Sequence, residues 1–136
     1  MGREPTVPGD LLVGVHVLVV EDNPDARDLF RTILEYAGAL VSVATGAEHA
    51  LAMCEQILPD VVLTDIAMPD RDGFWLMGEL RARRAAGGRA VPVVAVSGRG
   101  IATPARCDAA GFAEVLHKPV DPWELCRVVE DHARRR

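Results

Sequence analysis

The sequence predicts an α/β protein built on one parallel five-stranded sheet, and three observations support this fold class. The 136 residues suit a single domain with its own core, since domains usually contain about 100–150 residues. Hydrophobic residues make up 49% of the chain and charged residues 26%, a balance typical of globular proteins. Short valine-rich runs alternate with stretches of helical periodicity, as expected when helices connect the strands of a parallel sheet.

Five apolar runs are the candidates for the strands. The first is rich in valine and is interrupted only by His16, which is typical of a strand buried on both faces. The predicted strands are, in chain order, Val15 to Val20, Val41 to Ala44, Val61 to Leu63, Val91 to Val96, and Val115 with Leu116.

Five helices are predicted between and after these strands from their start and stop signals. Asn23 followed by Pro24 predicts an N-cap with proline at the first helical position, and Gly38 suits the end of that helix. Thr45 with Glu48 predicts a capping box for the second helix. The third is expected over Gly73 to Arg84, the fourth, a short one, between Thr103-Pro104 and Gly111, and the fifth from Asp121-Pro122. The stripes expected to face the core are Ala26, Phe30, Ile33, Leu34 and Ala37, then Ala47, Ala50, Leu51, Cys54 and Leu58, then Leu76, Met77 and Leu80, and finally Leu125, Val128 and Val129.

The remaining composition limits the class of protein. Residues 1–14 contain two prolines and three glycines without periodicity, so we expect a flexible lead-in over 1–13 and one folded domain over 14–136. No apolar run approaches the roughly 20 residues of a membrane span, and the N-terminus is not a secretory signal, so we expect a cytoplasmic protein without membrane insertion. The formal net charge of −5 and the presence of only six aromatic residues argue against nucleic acid as a partner. Three widely spaced cysteines are expected to be reduced core thiols.

Five strands in one domain favour the flavodoxin-like (βα)5 three-layer sandwich with strand order 2-1-3-4-5. In that order ligands bind at the carboxyl ends of the strands, between strands 1 and 3. The residues that follow or end the strands there are Glu21 and Asp22 after strand 1, Asp65 after strand 3, Ser97 after strand 4 and Lys118 after strand 5.

This set of side chains indicates a phosphoryl site. Three converging carboxylates repel one another, and Mg²⁺ with oxygen ligands would offset that repulsion, helped by Lys118. Asp65 stands alone and suits a nucleophile that forms an acyl phosphate, whereas Glu21 and Asp22 are adjacent, as metal ligands would be. Ser97 could donate a hydrogen bond to a phosphoryl oxygen.

Four segments, VLVVEDN, LTDIAMPDRDG, VVAVSG and LHKPVDP, strongly resemble the receiver domain of two-component response regulators over about residues 14–134. The resemblance implies that Asp65 is the phosphoacceptor, Asp22 the direct Mg²⁺ ligand and Glu21 a ligand acting mainly through water. It also implies metal ligation by the backbone carbonyl of Ala67, contact of Lys118 with the phosphoryl group, and a cis bond before Pro119. The implied function is that of a signalling phosphoacceptor. It is not an enzyme, because it catalyses only its own phosphorylation and dephosphorylation. The implied partners are a sensor histidine kinase or a histidine phosphotransfer domain, and a downstream protein target.

The sequence departs from that family in the region expected to transmit the signal. The strand-5 position that often holds an aromatic gate is Val115, and the fourth helix is short, with a longer loop over Gly98 to Thr103 ahead of it. We therefore expect Ser97 as the switch hydroxyl, this loop as the element that reorders, and a partner surface on the fourth helix and the neighbouring face of the fifth, including Arg106. The segments Asp10–Val20 and Lys118–Pro122 most resemble receivers joined to hybrid sensor kinases.

Three other functions compete with this hypothesis. A cofactor-binding module of the flavodoxin type would need a phosphate cradle after strand 1, where Glu21 and Asp22 would instead repel a phosphate. A phosphatase with an aspartyl nucleophile usually places that residue after the first strand and needs a cap domain. A docking module that never turns over remains open, although the complete set of five polar residues argues against it.

Overall fold

The computed structural model describes residues 7–98, 100 and 102–134, and five strands alternate with five helices in this part of the chain. In chain order the elements are β1 (His16–Val20), α1 (Pro24–Tyr36), β2 (Leu40–Ala44), α2 (Ala47–Ile57), β3 (Val61–Asp65), α3 (Gly73–Ala85), β4 (Val93–Ser97), α4 (Pro104–Ala110), β5 (Glu114–His117) and α5 (Pro122–Arg134). All strand pairs are parallel, and the order β2-β1-β3-β4-β5 confirms the predicted topology.

The core lies on both faces of the sheet, because alternate residues of each buried strand point to opposite sides. Val17 and Val19 pack with α1 and α5, whereas Leu18 and Val20 pack with α2 and α3. A third, smaller cluster under α4 is centred on Ile66, Ala95 and Cys107. This arrangement forms the predicted three-layer sandwich. Every helix of the described residues is too short or too polar to cross a lipid bilayer.

Two predictions about α2 are wrong. Thr45 does not cap the helix: the N-cap is Gly46, which makes no side-chain capping bond, and Thr45 lies one residue outside. The backbone N–H of Thr45 instead donates to Nδ1 of His49 over 3.5 Å, while Glu48 pairs with Arg71. Leu58 does not face the core either, since it is the left-handed C-cap residue and 56% exposed. The left-handed turn carries its side chain away from the sheet.

The sequence predicts a flexible lead-in over 1–13; its first six residues lie outside the described part of the chain, and its second half packs against the domain. Leu12 is fully buried in the α1–α5 side of the core, and its N–H donates to the carbonyl of Ala37 over 2.8 Å. The guanidinium of Arg134 donates to the carbonyl oxygens of Leu11 and Val13 over 3.2 and 3.4 Å. The segment therefore contacts the ends of both α1 and α5.

Gly38 makes this packing possible. Its φ of +101° lies in the left-handed region, which suits glycine at the residue after a helix. A Cβ atom at this position would lie 2.7 Å from Cγ2 of Val13 and 3.1 Å from the carbonyl oxygen of Gly9, so a larger residue would require the N-terminal segment to shift.

Cys54, Cys107 and Cys126 are free and buried, as predicted. Burial raises the pKa of Cys54 and of Cys126 to about 11. These thiols are therefore protonated and unreactive at neutral pH.

Candidate functional site

Three carboxylates meet where β1 and β3 end. Glu21 and Asp22 directly follow β1, and Asp65 is the last residue of β3. The two strands are paired, with Val20 opposite Thr64, so the carboxylates lie side by side. One oxygen from each of the three groups lies within 4.8 Å of the others. The structure therefore brings together the three predicted acidic residues.

Glu21 is the most buried of the three, with 1% of its surface exposed. The N–H of Asn23 donates to Oε2 over 3.1 Å. Burial raises the pKa of Glu21 to about 7, and the charge of Asp65 acts in the same direction, while the bond from Asn23 and the charge of Lys118 oppose it. Without a cation at the site, Glu21 is thus partly protonated near neutral pH.

Lys118 supplies the positive charge at the site. Its Nζ lies 3.3 Å from Oδ2 of Asp65 and 3.5 Å from Oε1 of Glu21. Burial lowers the pKa of Lys118, but the two carboxylates outweigh that effect and raise it. The backbone N–H of Lys118 donates to the carbonyl of Ser97 over 2.9 Å, and the Lys118–Pro119 bond is cis, as the resemblance implied. Lys118 is also the only lysine in the sequence, since the other basic residues are arginines.

Ser97 ends β4 beside the end of β3 and is 3% exposed. Its hydroxyl donates to the carbonyl of Gly98 over 3.0 Å, so it is engaged with the loop that leads to α4. This hydrogen bond joins adjacent residues. A negatively charged oxygen placed next to Asp65 would compete with the Gly98 carbonyl for the Ser97 hydroxyl.

The donor set fits a small divalent cation. Carboxylate oxygens are the ligands that Mg²⁺ prefers, and it is usually held by one or two carboxylates together with waters. The oxygens of Glu21, Asp22 and Asp65 converge, and the charge of Asp65 adds to the larger effect of burial in raising the pKa of Glu21. Ala67, the fourth residue implied as a ligand, lies two residues after Asp65 in an exposed turn.

The turn from β3 into α3 is closely packed against Asp65. The N–H of Gly73 donates to the carbonyl of Ile66 over 2.8 Å, and a Cβ atom at Gly73 would lie 2.7 Å from the carbonyl oxygen of Asp65. Asp72 caps α3 by accepting the N–H of Trp75 over 2.9 Å. This turn holds the Asp65 backbone in place from the α3 side.

Two supporting residues were not predicted. Thr64 is fully buried and donates its hydroxyl to the carbonyl of Asp65 over 2.9 Å. Arg27 donates Nη1 to the carbonyl of Glu21 over 3.1 Å. A polar residue next to a run of buried apolar ones was a usable signal for Thr64, whereas nothing in the sequence distinguishes Arg27 from the other charged residues of its helix.

Comparisons with known proteins agree with this geometry. The family model described as the response regulator receiver domain matches residues 17–130. An uncharacterised 14.6 kDa protein in the sodA1 3′ region of Leptolyngbya boryana is 41% identical over 122 residues, covering 89% of this chain and 92% of that protein. The virulence sensor protein BvgS of Bordetella bronchiseptica is 35% identical over 132 residues, covering 94% of this chain but only 11% of the sensor.

One of the similar solved structures contains a magnesium ion. The receiver domain of sensor histidine kinase PA1611 from Pseudomonas aeruginosa PAO1, with a magnesium ion coordinated in its active site cleft, is 29% identical, with a TM-score of 0.79. The match covers 89% of this chain and 98% of that one.

Proposed function

The chain belongs to the response regulator receiver domain family, a family of signalling phosphoacceptors in two-component systems, and we propose that Asp65 is the residue that accepts the phosphoryl group. One observation carries the assignment: the carboxylate of Asp65 lies within 4.8 Å of those of Glu21 and Asp22, and the ammonium of Lys118 is 3.3 Å away. It is also the residue at the end of the central strand β3.

The transfer moves a phosphoryl group from a phosphohistidine of the partner to a carboxylate oxygen of Asp65. The P–N bond breaks as the P–O bond forms, and the histidine nitrogen keeps the bonding electron pair. Lys118 is placed to bind a phosphoryl oxygen, because its ammonium already contacts the accepting carboxylate. Ser97 would turn its hydroxyl from Gly98 toward another oxygen of the phosphoryl group.

The metal ligands we propose are the carboxylates of Glu21, Asp22 and Asp65 and the backbone carbonyl of Ala67. When bound there, Mg²⁺ would neutralise the negative charge on the transferring phosphoryl oxygens. Glu21 is already engaged by Asn23 and Lys118, whereas Asp22 is half-buried and next to it, which supports Asp22 as the stronger ligand.

Receiver domains work with histidine kinases or histidine phosphotransfer domains, and the relatives of this chain include sensor proteins many times its length. For this chain we further propose a cytoplasmic location, no nucleic acid partner, and a protein target downstream. Its chemistry would be limited to its own phosphorylation and dephosphorylation. The formal net charge of −5 supports the absence of nucleic acid binding, because phosphate recognition needs positive charge.

The signal would leave through α4. Val115 offers no ring at β5, so the hydroxyl of Ser97 and the loop behind it, over 98–103, are the elements we propose to respond. Arg99 and Ile101 of this loop lie outside the described residues. The partner surface proposed on α4 and the neighbouring face of α5 includes the exposed Arg106.

The acceptor is tested with acetyl phosphate and Mg²⁺, followed by intact mass measurement. The wild-type protein should gain one phosphoryl group, and Asp65→Asn should gain none. The matched control is Asp70→Asn in the same loop, because Asp70 is exposed and its left-handed backbone, with φ of 67°, is tolerated by asparagine. Labelling of Asp65→Asn at the wild-type rate would show that another residue is the acceptor.

A further inference from the structure

A cavity of about 790 Å³ opens at the end of the sheet where the strands begin, opposite to Asp65. It lies beside Val93, the first residue of β4, between the second half of α3 and the turn that joins α4 to β5. Asp65 and Ser97 lie at the other end of their strands, so the length of β4 separates them from the cavity. Sites for small organic molecules usually have volumes of about 300–1,000 Å³, a range that includes this cavity.

One wall of the cavity is apolar. Met77 and Leu80 of α3 and Val93 of β4 line it and are buried in the core between α3 and the sheet. Val91 and Pro92, which precede β4, extend this wall and are half-buried. The wall therefore offers contact area to an apolar group of a ligand, which would leave water when it binds.

The rim of the same cavity is positively charged. Among the described residues, Arg81, Arg84 and Arg89 line the cavity and no carboxylate does, although the formal net charge of the chain is −5. Arg81 follows Met77 by four residues and Arg84 follows Leu80 by four, so apolar wall and arginines share one face of α3. Apolar surface and positive charge are thus combined at one site.

Arg81 is held in place by the turn after α4. Its Nη1 donates to the carbonyls of Ala109 and Ala110 over 2.9 and 3.0 Å. Gly111 has a φ of +96°, and a Cβ atom there would lie 3.2 Å from Cδ of Arg81, so the absence of a side chain leaves room for the arginine. Nε and Nη2 of Arg81 make no hydrogen bond with the described residues and keep their donors for a ligand.

The charge around the cavity is only partly balanced. The side chain of Arg84 makes no hydrogen bond or ion pair within the described part of the chain. Arg89 donates Nη1 to the carbonyl of Pro59 over 2.8 Å, and its Nη2 lies 3.9 Å from Oδ1 of Asp60. A phosphate monoester, with a charge of about −1.5 to −2, would match the remaining positive charge better than a single carboxylate. Guanidinium groups also bind phosphate oxygens through paired hydrogen bonds.

We propose that this cavity binds a small organic phosphate, whose phosphate group contacts Arg81 and Arg84 and whose apolar group lies against the wall. The bound molecule would contact both α3 and the turn between α4 and β5 and would hold them together. The site is separate from the proposed phosphoacceptor site, and the inference does not depend on the role of Asp65. Arginines at the end of α3 also interact favourably with the helix dipole, a role that needs no ligand, and the test separates the two.

The test is an NMR titration of the backbone amides with phenyl phosphate in EDTA. EDTA removes Mg²⁺, so the carboxylates around Asp65 repel the phosphate. The amides of Val91, Val93 and Ala113 should shift and approach saturation at millimolar phenyl phosphate. Inorganic phosphate and phenol, which each lack one half of the probe, should bind about tenfold more weakly or worse. Benzoate, with a single charge, should also bind more weakly than phenyl phosphate.

Arg84→Gln should weaken the binding of phenyl phosphate by about threefold to fivefold, because it removes one charge at an exposed position. The fold should be retained, since this side chain makes no hydrogen bond or ion pair with the described residues. The matched control is Arg127→Gln, an equal change at an exposed arginine of α5, which should bind phenyl phosphate like wild type.

Four results would overturn the proposal. Wild-type affinity in Arg84→Gln would mean that this arginine serves only the end of α3. Equal binding of inorganic phosphate would exclude the apolar wall from the site, and equal binding of benzoate would make the ligand a carboxylate instead of a phosphate. Shifts at Lys118, with Val91 and Ala113 unmoved, would place the phosphate at the other end of the sheet.

Discussion

The ammonium nitrogen of Lys118 lies 3.3 Å from Oδ2 of Asp65, although 53 positions separate the two residues in the chain. This contact joins β3 to the end of β5 across β4 and places a positive charge on the proposed acceptor. Lys118 is the only lysine in the sequence. Labelling of lysine therefore reports on this ammonium group alone, and substitution of Lys118 removes it.

Removing this ammonium should reduce the structural response to phosphorylation more than it reduces phosphorylation itself. Lys118→Ala should still be phosphorylated by acetyl phosphate, but its α4 signals should shift less than those of wild type. Lysine labelled with ¹³C gives one ε-methylene signal, which should move in wild type when beryllofluoride, a stable mimic of the phosphoryl group, binds. An unmoved signal under conditions where the mimic binds would show that Lys118 does not contact the phosphoryl group.

The same ammonium should oppose metal binding. A unit charge about 4 Å from a cation costs at least about 1 kcal/mol. Lys118→Ala should therefore bind Mg²⁺ at least about fivefold more tightly than wild type, measured by titration calorimetry. Weaker binding in the variant would indicate that Lys118 orders the carboxylates more than it repels the cation.

The two neighbouring acids should differ in their effect on Mg²⁺ affinity. Asp22→Ala should weaken binding by about tenfold or more, whereas Glu21→Ala should have a smaller effect, because a contact through water is weaker than direct ligation. Titration calorimetry of both variants at one ionic strength measures the difference. Equal losses would contradict the separate roles proposed for the two side chains.

Glu21 should make the metal-free protein less stable as pH rises. Its pKa is raised from 4.5 to about 7 in the folded state, so the folded state holds this proton at pH values where the unfolded state has released it. The contribution of Glu21 to the free energy of unfolding therefore falls between about pH 4.5 and pH 7 and is constant above. Glu21→Gln has no carboxyl group to titrate and so lacks this loss. The free energy of unfolding of the variant minus that of wild type should therefore be larger at pH 8 than at pH 4 by roughly 1–3 kcal/mol.

Urea unfolding in EDTA at both pH values measures this difference. Saturating Mg²⁺ at pH 8 should reduce the advantage of Glu21→Gln, because wild type then gains binding energy that the variant partly lacks. An advantage of the same size at pH 4 and pH 8 would show that burial of the charge is not its cause.

The N-terminal segment should contribute to the stability of the domain. Leu12 is fully buried, so Leu12→Ala should lower the free energy of unfolding by about 2–5 kcal/mol. The adjacent Val13 is 59% exposed, and Val13→Ala should change the free energy of unfolding by less than about 0.5 kcal/mol. Urea unfolding of the two variants provides the comparison, and similar small losses would mean that the segment is detached in solution.

The sequence by itself determined the fold class, the strand order and the family. Periodicity and turn residues are local properties, and strand ends in a parallel sheet necessarily share one edge, so Glu21, Asp22 and Asp65 could be placed together before any coordinates. Their roles, with those of Ser97, Lys118 and the Ala67 carbonyl, stay predictions.

Only the tertiary structure decided how separate segments pack. The burial of Leu12 depends on the gap between α1 and α5, and the Arg106–Phe74 contact depends on the position of α4 over α3. The missed N-cap at Gly46 has the same origin, since the pattern Thr45–Glu48 fits a capping box but the backbone enters α2 one residue later. Contacts between residues distant in sequence leave no periodic signal. Periodicity reports which face of a helix or strand a residue lies on, but not which residue of another element it will contact.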